Sequence, residues 1–144
     1  MKYLENKLIN DFNQGNITPG QLLIRSVDKL FIHGVKTAFE CGLNGEVRDS
    51  AGAMIKFAFF NNNYEIVKLL FENKNQLPGG LPLVYYLDDY YPVMTSLKKD
   101  NFKLAKLLFD YGADTDGVSK KDLKLLKHST HKNKLVNLIK KIFK

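Results

Sequence analysis

NFKLAKLLFDYGADTD, residues 101–116, carries a helix body, a stop signal and a polar turn in that order. Phe102, Ala105, Leu108 and Phe109 recur at helical spacing, and Leu104 and Leu107 widen the apolar stripe. Gly112 follows the last periodic residue, where a left-handed cap requires a residue without Cβ. Related stretches recur along the chain: NYEIVKLLFEN at 63–73, GVKTAFECG at 34–42 and LVNLI at 135–139.

The recurring unit resembles the outer helix and loop of an ankyrin repeat. In that register Lys36, Lys68, Lys106 and Asn137 are equivalent, with separations of 32, 38 and 31 residues. The family period is about 33 residues. Gly112-Ala113-Asp114 matches the family's Gly-Ala-Asp loop, and Pro92 sits where its Thr-Pro opens the inner helix. No copy has the full T-P-L-H-x-A, and Lys74-Asn75-Gln76 replaces Gly-Ala-Asp in the second copy. The resemblance implies an all-α, ankyrin-like solenoid of four helix pairs in a single domain. Its parts are an N-terminal cap at 1–17, repeats at 18–48, 49–77 and 78–117, and a basic C-terminal repeat at 118–144.

Working outward, Tyr3 to Phe12 reads as a short helix with Leu4, Leu8, Ile9 and Phe12 on one face. It suits a cap, because a repeat array exposes an apolar face at each end. Thr18-Pro19 starts a helix to about Val27, with Thr as cap and Pro where its missing N–H is harmless. A second helix is expected from Leu30 to Cys41, with Gly34 inside it marking a close helix–helix contact. Asp49-Ser50 opens an inner helix in which Ala51, Gly52, Ala53 and Ala58 allow tight packing. Asn61 to Asn63 turns into an outer helix, Tyr64 to Phe71. Pro78-Gly79-Gly80 and Pro82 signal a loop, and Leu83 to Leu87 is a short helix or a strand. Pro92 to Lys99 is the third inner helix. Ser119-Lys120-Lys121-Asp122 resembles a capping box, opening a helix to about Lys127 with Leu123, Leu125 and Leu126 inward. A last helix is expected over 131–143.

The chain has 144 residues, enough for one domain with a sizeable core. No apolar run approaches the roughly 18 residues that a membrane helix needs. Met1 to Phe12 lacks the continuous apolar segment of a signal peptide. The single cysteine, Cys41, forbids an intramolecular disulfide, so a reduced, cytoplasmic location is expected. Of the formal net charge of +7, residues 118–144 supply nine lysines against one acid, and the rest of the chain is near neutral.

Nothing in the sequence assembles a catalytic constellation. Cys41 and His33 lie eight residues apart, about 12 Å along a helix, too far for a hydrogen bond. His128 and His131 lack the acid or thiol that would complete a metal site. Asp88 and Asp89 are adjacent and point apart. Pro78-Gly79-Gly80 lacks the Lys-Ser/Thr of a phosphate loop. No catalytic residue, metal or cofactor is expected.

Binding features are richer. Tyr85, Tyr86, Tyr90 and Tyr91 surround Asp88 and Asp89, and tyrosine gives large contact area at low entropy cost. Packing of these rings beneath the loop is the structural alternative. The ankyrin resemblance places partner contacts on the concave side, at Gly52, Phe60 and Asn61 in the second copy and Tyr90, Lys98 and Lys99 in the third. Phe60 is informative because the family usually varies there. The expected function is a non-catalytic protein–protein interaction module, using these positions together with the Tyr/Asp insertion. The Lys- and Asn-rich composition and degenerate repeats are similar to ankyrin proteins of large DNA viruses and intracellular bacteria, which implies a host factor as partner. The alternative is an electrostatic binder of nucleic acid or an anionic surface through the lysine-rich end. That end has no arginine and one aromatic, Phe143.

Overall fold

The structure is a computed structural model and describes residues 2–43, 45, 47–77 and 81–128. Among the described residues it is helical and contains no strand. The α-helices are α1 (Lys2–Asn13), α2 (Pro19–Asp28), α3 (Ile32–Cys41), α4 (Ala51–Phe60), α5 (Tyr64–Glu72), α6 (Pro92–Lys98) and α7 (Phe102–Asp110). Residues 120–128 form α8. Single 3₁₀ turns run Arg48–Ser50 and Lys74–Gln76, and a longer 3₁₀ segment runs Leu83–Tyr90. That segment settles the choice between helix and strand at 83–87 in favour of helix. Internal contacts divide the chain into two compact units, Met1–Leu87 and Asp88–Lys144.

In the first unit, Thr18 caps α2 with a complete capping box. Its Oγ1 accepts from the Gln21 N–H at 3.1 Å, and the Thr18 N–H donates to Gln21 Oε1 at 3.0 Å. The chain then leaves α2 through Leu30, whose φ is +58°. For this reason the second helix starts at Ile32 and not at Leu30, as periodicity suggests: a left-handed residue cannot continue a right-handed helix. Between α4 and α5 the same turn recurs at Asn62, φ +56°. In each case two backbone bonds close the turn. Leu30 N–H donates to Val27 O and Phe31 N–H to Ser26 O, and the matching pair is Asn62 to Phe59 and Asn63 to Ala58. Asn63 then caps α5 by accepting from the Ile66 N–H at 3.0 Å.

These two hairpins pack in register. Within the unit, α2 packs on α3 and α4 on α5, while α2 also packs on α4 and α3 on α5. The first helix of one hairpin thus lies on the first of the other, and the second on the second. The shared core is Leu22, Leu23, Val27, Val35, Ala38, Ile55, Ala58, Ile66, Val67 and Leu70, all buried. Gly34 is the contact point of α2 and α3: a Cβ there would overlap the Ser26 side chain. Helix α1 contacts both α2 and α3 but has no buried residue, and Leu4 remains 52% exposed. The face expected to bury Leu4, Leu8, Ile9 and Phe12 is therefore only half covered.

Where Lys74-Asn75-Gln76 stands in the second copy, the Gln76 side chain ties two copies together. Its Nε2 donates to Phe39 O at 3.2 Å, and its Oε1 accepts from the Leu43 N–H at 2.9 Å. Both partners lie at the end of α3, where helix carbonyls and the following amides lack intrahelical partners.

The second unit repeats the hairpin. Asp100 has φ +57°, with its N–H donating to Leu97 O and the Asn101 N–H to Ser96 O. Asn101 Oδ1 caps α7 by accepting from the Leu104 N–H at 3.0 Å. The left-handed residues Leu30, Asn62 and Asp100 are spaced 32 and 38 residues apart. This reproduces the spacing of Lys36, Lys68 and Lys106. Gly112 ends α7 with φ +85°, and the Ala113 N–H donates to Leu108 O at 2.9 Å. Leu104, Ala105 and Leu108 are buried, whereas Phe102, at the first turn of α7, is 41% exposed. Ser119 Oγ accepts from the Asp122 N–H at 3.1 Å and starts α8. In α8 Leu126 is buried and Leu123 half-buried, but Leu125 is 52% exposed and does not join the inward side. The helix expected over 131–143, the loop Pro78-Gly79-Gly80 and Asn44 lie outside the described residues.

Candidate interaction surfaces

Helix α4 reads AGAMIKFAFF, apolar on almost every side. A helix apolar all round should be covered on all sides. The core takes Ala51, Met54, Ile55, Ala58 and Phe59. Ala53, Phe57 and Phe60 are left on a second stripe, at i, i+4 and i+7. Ala53 is exposed, Phe57 half-buried and Phe60 48% exposed. Beside them Ile24 of α2 is 38% exposed. Between α2 and α4 lies a hollow of about 220 Å³, lined by Ile24, Val27, Asp28, Ser50, Ala53, Met54 and Phe57. Asp28 is its one charged lining residue. Phe60 is steadied by the core: its ring centroid is 5.5 Å from that of buried Phe59, at 57°. Asn61, exposed next to it, donates from Nδ2 to Phe57 O at 2.8 Å.

Tyr86 and Phe60 lie at opposite ends of α4. The Tyr86 ring covers Gly52 in the first turn, and a Cβ there would come within 2.6 Å of Tyr86 Cδ1. Half-buried Tyr86 thus holds its part of the 3₁₀ segment against α4, and Leu83, Val84 and Leu87 are buried. Tyr85 projects outward at 56% exposure, and Leu81 is 54% exposed. The packing alternative therefore applies to Tyr86, and the contact reading is open to Tyr85.

In the second unit, Tyr90 and Tyr91 are 38% and 50% exposed at the start of α6. Tyr91 has φ +48°, a left-handed conformation unusual for a bulky residue. Thr95 holds the corner: its Oγ1 donates to Tyr90 O and its N–H to Tyr91 O, both at 2.8 Å. Lys98 and Lys99 are exposed at the other end of α6, about 10 Å along the helix.

Asp89 is exposed and Asp88 half-buried. Burial, then the charge of Asp114, then that of Asp89 hold the Asp88 carboxyl above its ordinary pKa. A carboxyl raised in the fold favours the protonated, folded state. Its contribution is full below the ordinary value and lost as pH rises through the raised one. Asp88→Asn should therefore raise the urea midpoint at pH 7 and leave it unchanged near pH 3. An equal shift at both pH values would refute the raised carboxyl.

Among the described residues no three His, Cys, Asp or Glu side chains are grouped to hold a metal ion. Cys41 and His33 are both exposed at opposite ends of α3. His128 is exposed on α8, and His131 lies outside the described residues.

Two features escape a reading of the sequence. The Gln76 bridge joins residues more than 30 positions apart, with no local pattern to announce it. The exposed stripe of α4 follows from which of two apolar faces the neighbouring helices cover. Comparison with protein-family models, characterised proteins and solved structures finds no match for this chain.

Proposed function

We propose that this chain is a non-catalytic, ankyrin-type interaction module, and that it binds a protein partner on the α2–α4 face. Support for the architecture comes from the identical left-handed turn at Leu30, Asn62 and Asp100 and from the inner-on-inner, outer-on-outer packing of the first two hairpins. The observation that carries the binding proposal is the partly exposed apolar stripe Ala53, Phe57 and Phe60, of which Ala53 and Phe57 share a hollow with Ile24. Aromatic anchors around a small hollow are the usual centre of a protein interface, because they release much water for few frozen torsions. Asn61 lies at the rim of this surface. Tyr85 in the first unit, and Asp88, Asp89, Tyr90, Tyr91, Lys98 and Lys99 in the second, are further contact candidates. A host factor is the partner class that the resemblance to ankyrin proteins of large DNA viruses and intracellular bacteria implies.

Affinity capture with mass spectrometry should recover a partner with the native chain. Phe60→Asp with Ile24→Asp should abolish that capture while the circular dichroism spectrum stays native. Replacing Tyr85, Tyr90 and Tyr91 by Ala should weaken capture less. Undiminished capture by the Phe60/Ile24 variant would refute the assignment of this face.

A further inference from the structure

The described part of the lysine-rich end has its charges sorted by the helix. At about 100° per residue, Lys120, Lys124 and Lys127 fall on one side of α8, with Lys121 and His128 beside them. All five are exposed. Asp122, half-buried, lies on the opposite flank with buried Leu126 and half-buried Leu123. The single acid of residues 118–144 is thus turned away from Lys120, Lys124 and Lys127. The Lys106–Asp110 salt bridge lies on α7, at 2.5 Å, and takes none of these cations. Leu125, 52% exposed, adjoins Lys121 one turn before it and His128 three residues after it.

We propose that this face of α8 docks an acidic, amphipathic segment of a protein partner. The surface is independent of the α2–α4 face. Four exposed lysines on one side, with the helix's own acid, Asp122, on the opposite flank, leave a repulsive field that an anionic partner relieves. The span from Lys120 to Lys127 is about 10 Å, which suits carboxylates one or two turns apart on a partner helix. Two observations favour a carboxylate-bearing segment over nucleic acid. The face lacks arginine, which forks onto phosphate or base edges, and lacks an aromatic ring on which a base could stack. It also presents Leu125, which gains nothing against a phosphate backbone but is covered by an apolar side chain set among acids. Lysine is a mobile point charge, so it accommodates carboxylates without a fixed bidentate geometry.

The test is fluorescence anisotropy with the full chain. The probe is a labelled 14-residue peptide of Glu with Leu at every third or fourth position. Its controls are the same peptide with Ser for Leu, a 14-base-pair DNA duplex and a 14-nucleotide oligouridine. The Glu/Leu peptide should bind most tightly. Lys120→Glu with Lys124→Glu should weaken it by about tenfold or more, because each reversal replaces attraction with repulsion. Leu125→Ser, and Ser for Leu in the peptide, should each weaken it by about threefold or more, as apolar contact is lost. These substitutions are on the surface, so circular dichroism should stay native. Tighter binding of DNA or RNA than of the peptide would overturn the proposal. So would an affinity unmoved by the charge reversal, or unmoved by both losses of leucine contact.

Discussion

Leu108→Ala is expected to lower the unfolding free energy by about 2–5 kcal/mol. Leu108 is fully buried, and its carbonyl also accepts the Ala113 N–H that closes the Gly112 turn. Truncation to Ala removes apolar area and leaves a cavity lined by side chains that relax only in part. The equivalent residue in the second hairpin is Leu70, also buried, and in the first it is Ala38. The position therefore does not require Leu in every repeat; what matters is the space each hairpin has already built. The measurement is urea denaturation by circular dichroism. A midpoint within error of the native chain's would show that α7 does not bury this face.

Gly34→Val is the second large effect, expected to cost about 1–3 kcal/mol through overpacking. Glycine inside a helix is itself unfavourable by about 1 kcal/mol against Ala, so relief of that cost opposes the change in part. Steric overlap wins because the obstacle is the buried Ser26, not the far end of a flexible chain. Among the described residues the Ser26 hydroxyl has no hydrogen-bond partner, whereas Ser96, its equivalent in the third hairpin, donates to Pro92 O at 2.9 Å. Ser26→Ala removes a buried unpaired group and should be neutral or stabilising. Together the two variants separate packing from polarity. Native stability of Gly34→Val would mean that α2 and α3 can separate at no cost.

The helix pairs were legible because their signals are local. Thr18-Pro19, Asn63, Asn101 and Ser119 each start a helix through a bond to a residue three positions on, or through a fixed φ, so adjacent residues are enough to find them. The repeat was legible for the same reason. One turn conformation recurs 32 and 38 residues apart, and the apolar spacing on either side of it recurs as well.

What the sequence did not contain was the choice between faces. Leu30 looks like the start of α3, yet the backbone takes the left-handed turn there. Leu125 and Phe102 look inward by periodicity and are exposed. Tyr86 looks like its three tyrosine neighbours, but only its ring closes over Gly52. Ala53, Phe57 and Phe60 carry the same kind of side chain as Met54, Ile55 and Phe59, which are buried. Helical period states which residues share a side; it does not state which side a neighbour covers. That depends on contacts between residues tens of positions apart, among them α2 on α4 and α3 on α5. Sequence alone thus determined most of the described helices and the spacing at which one turn recurs. Tertiary packing decided which apolar and charged faces were left exposed.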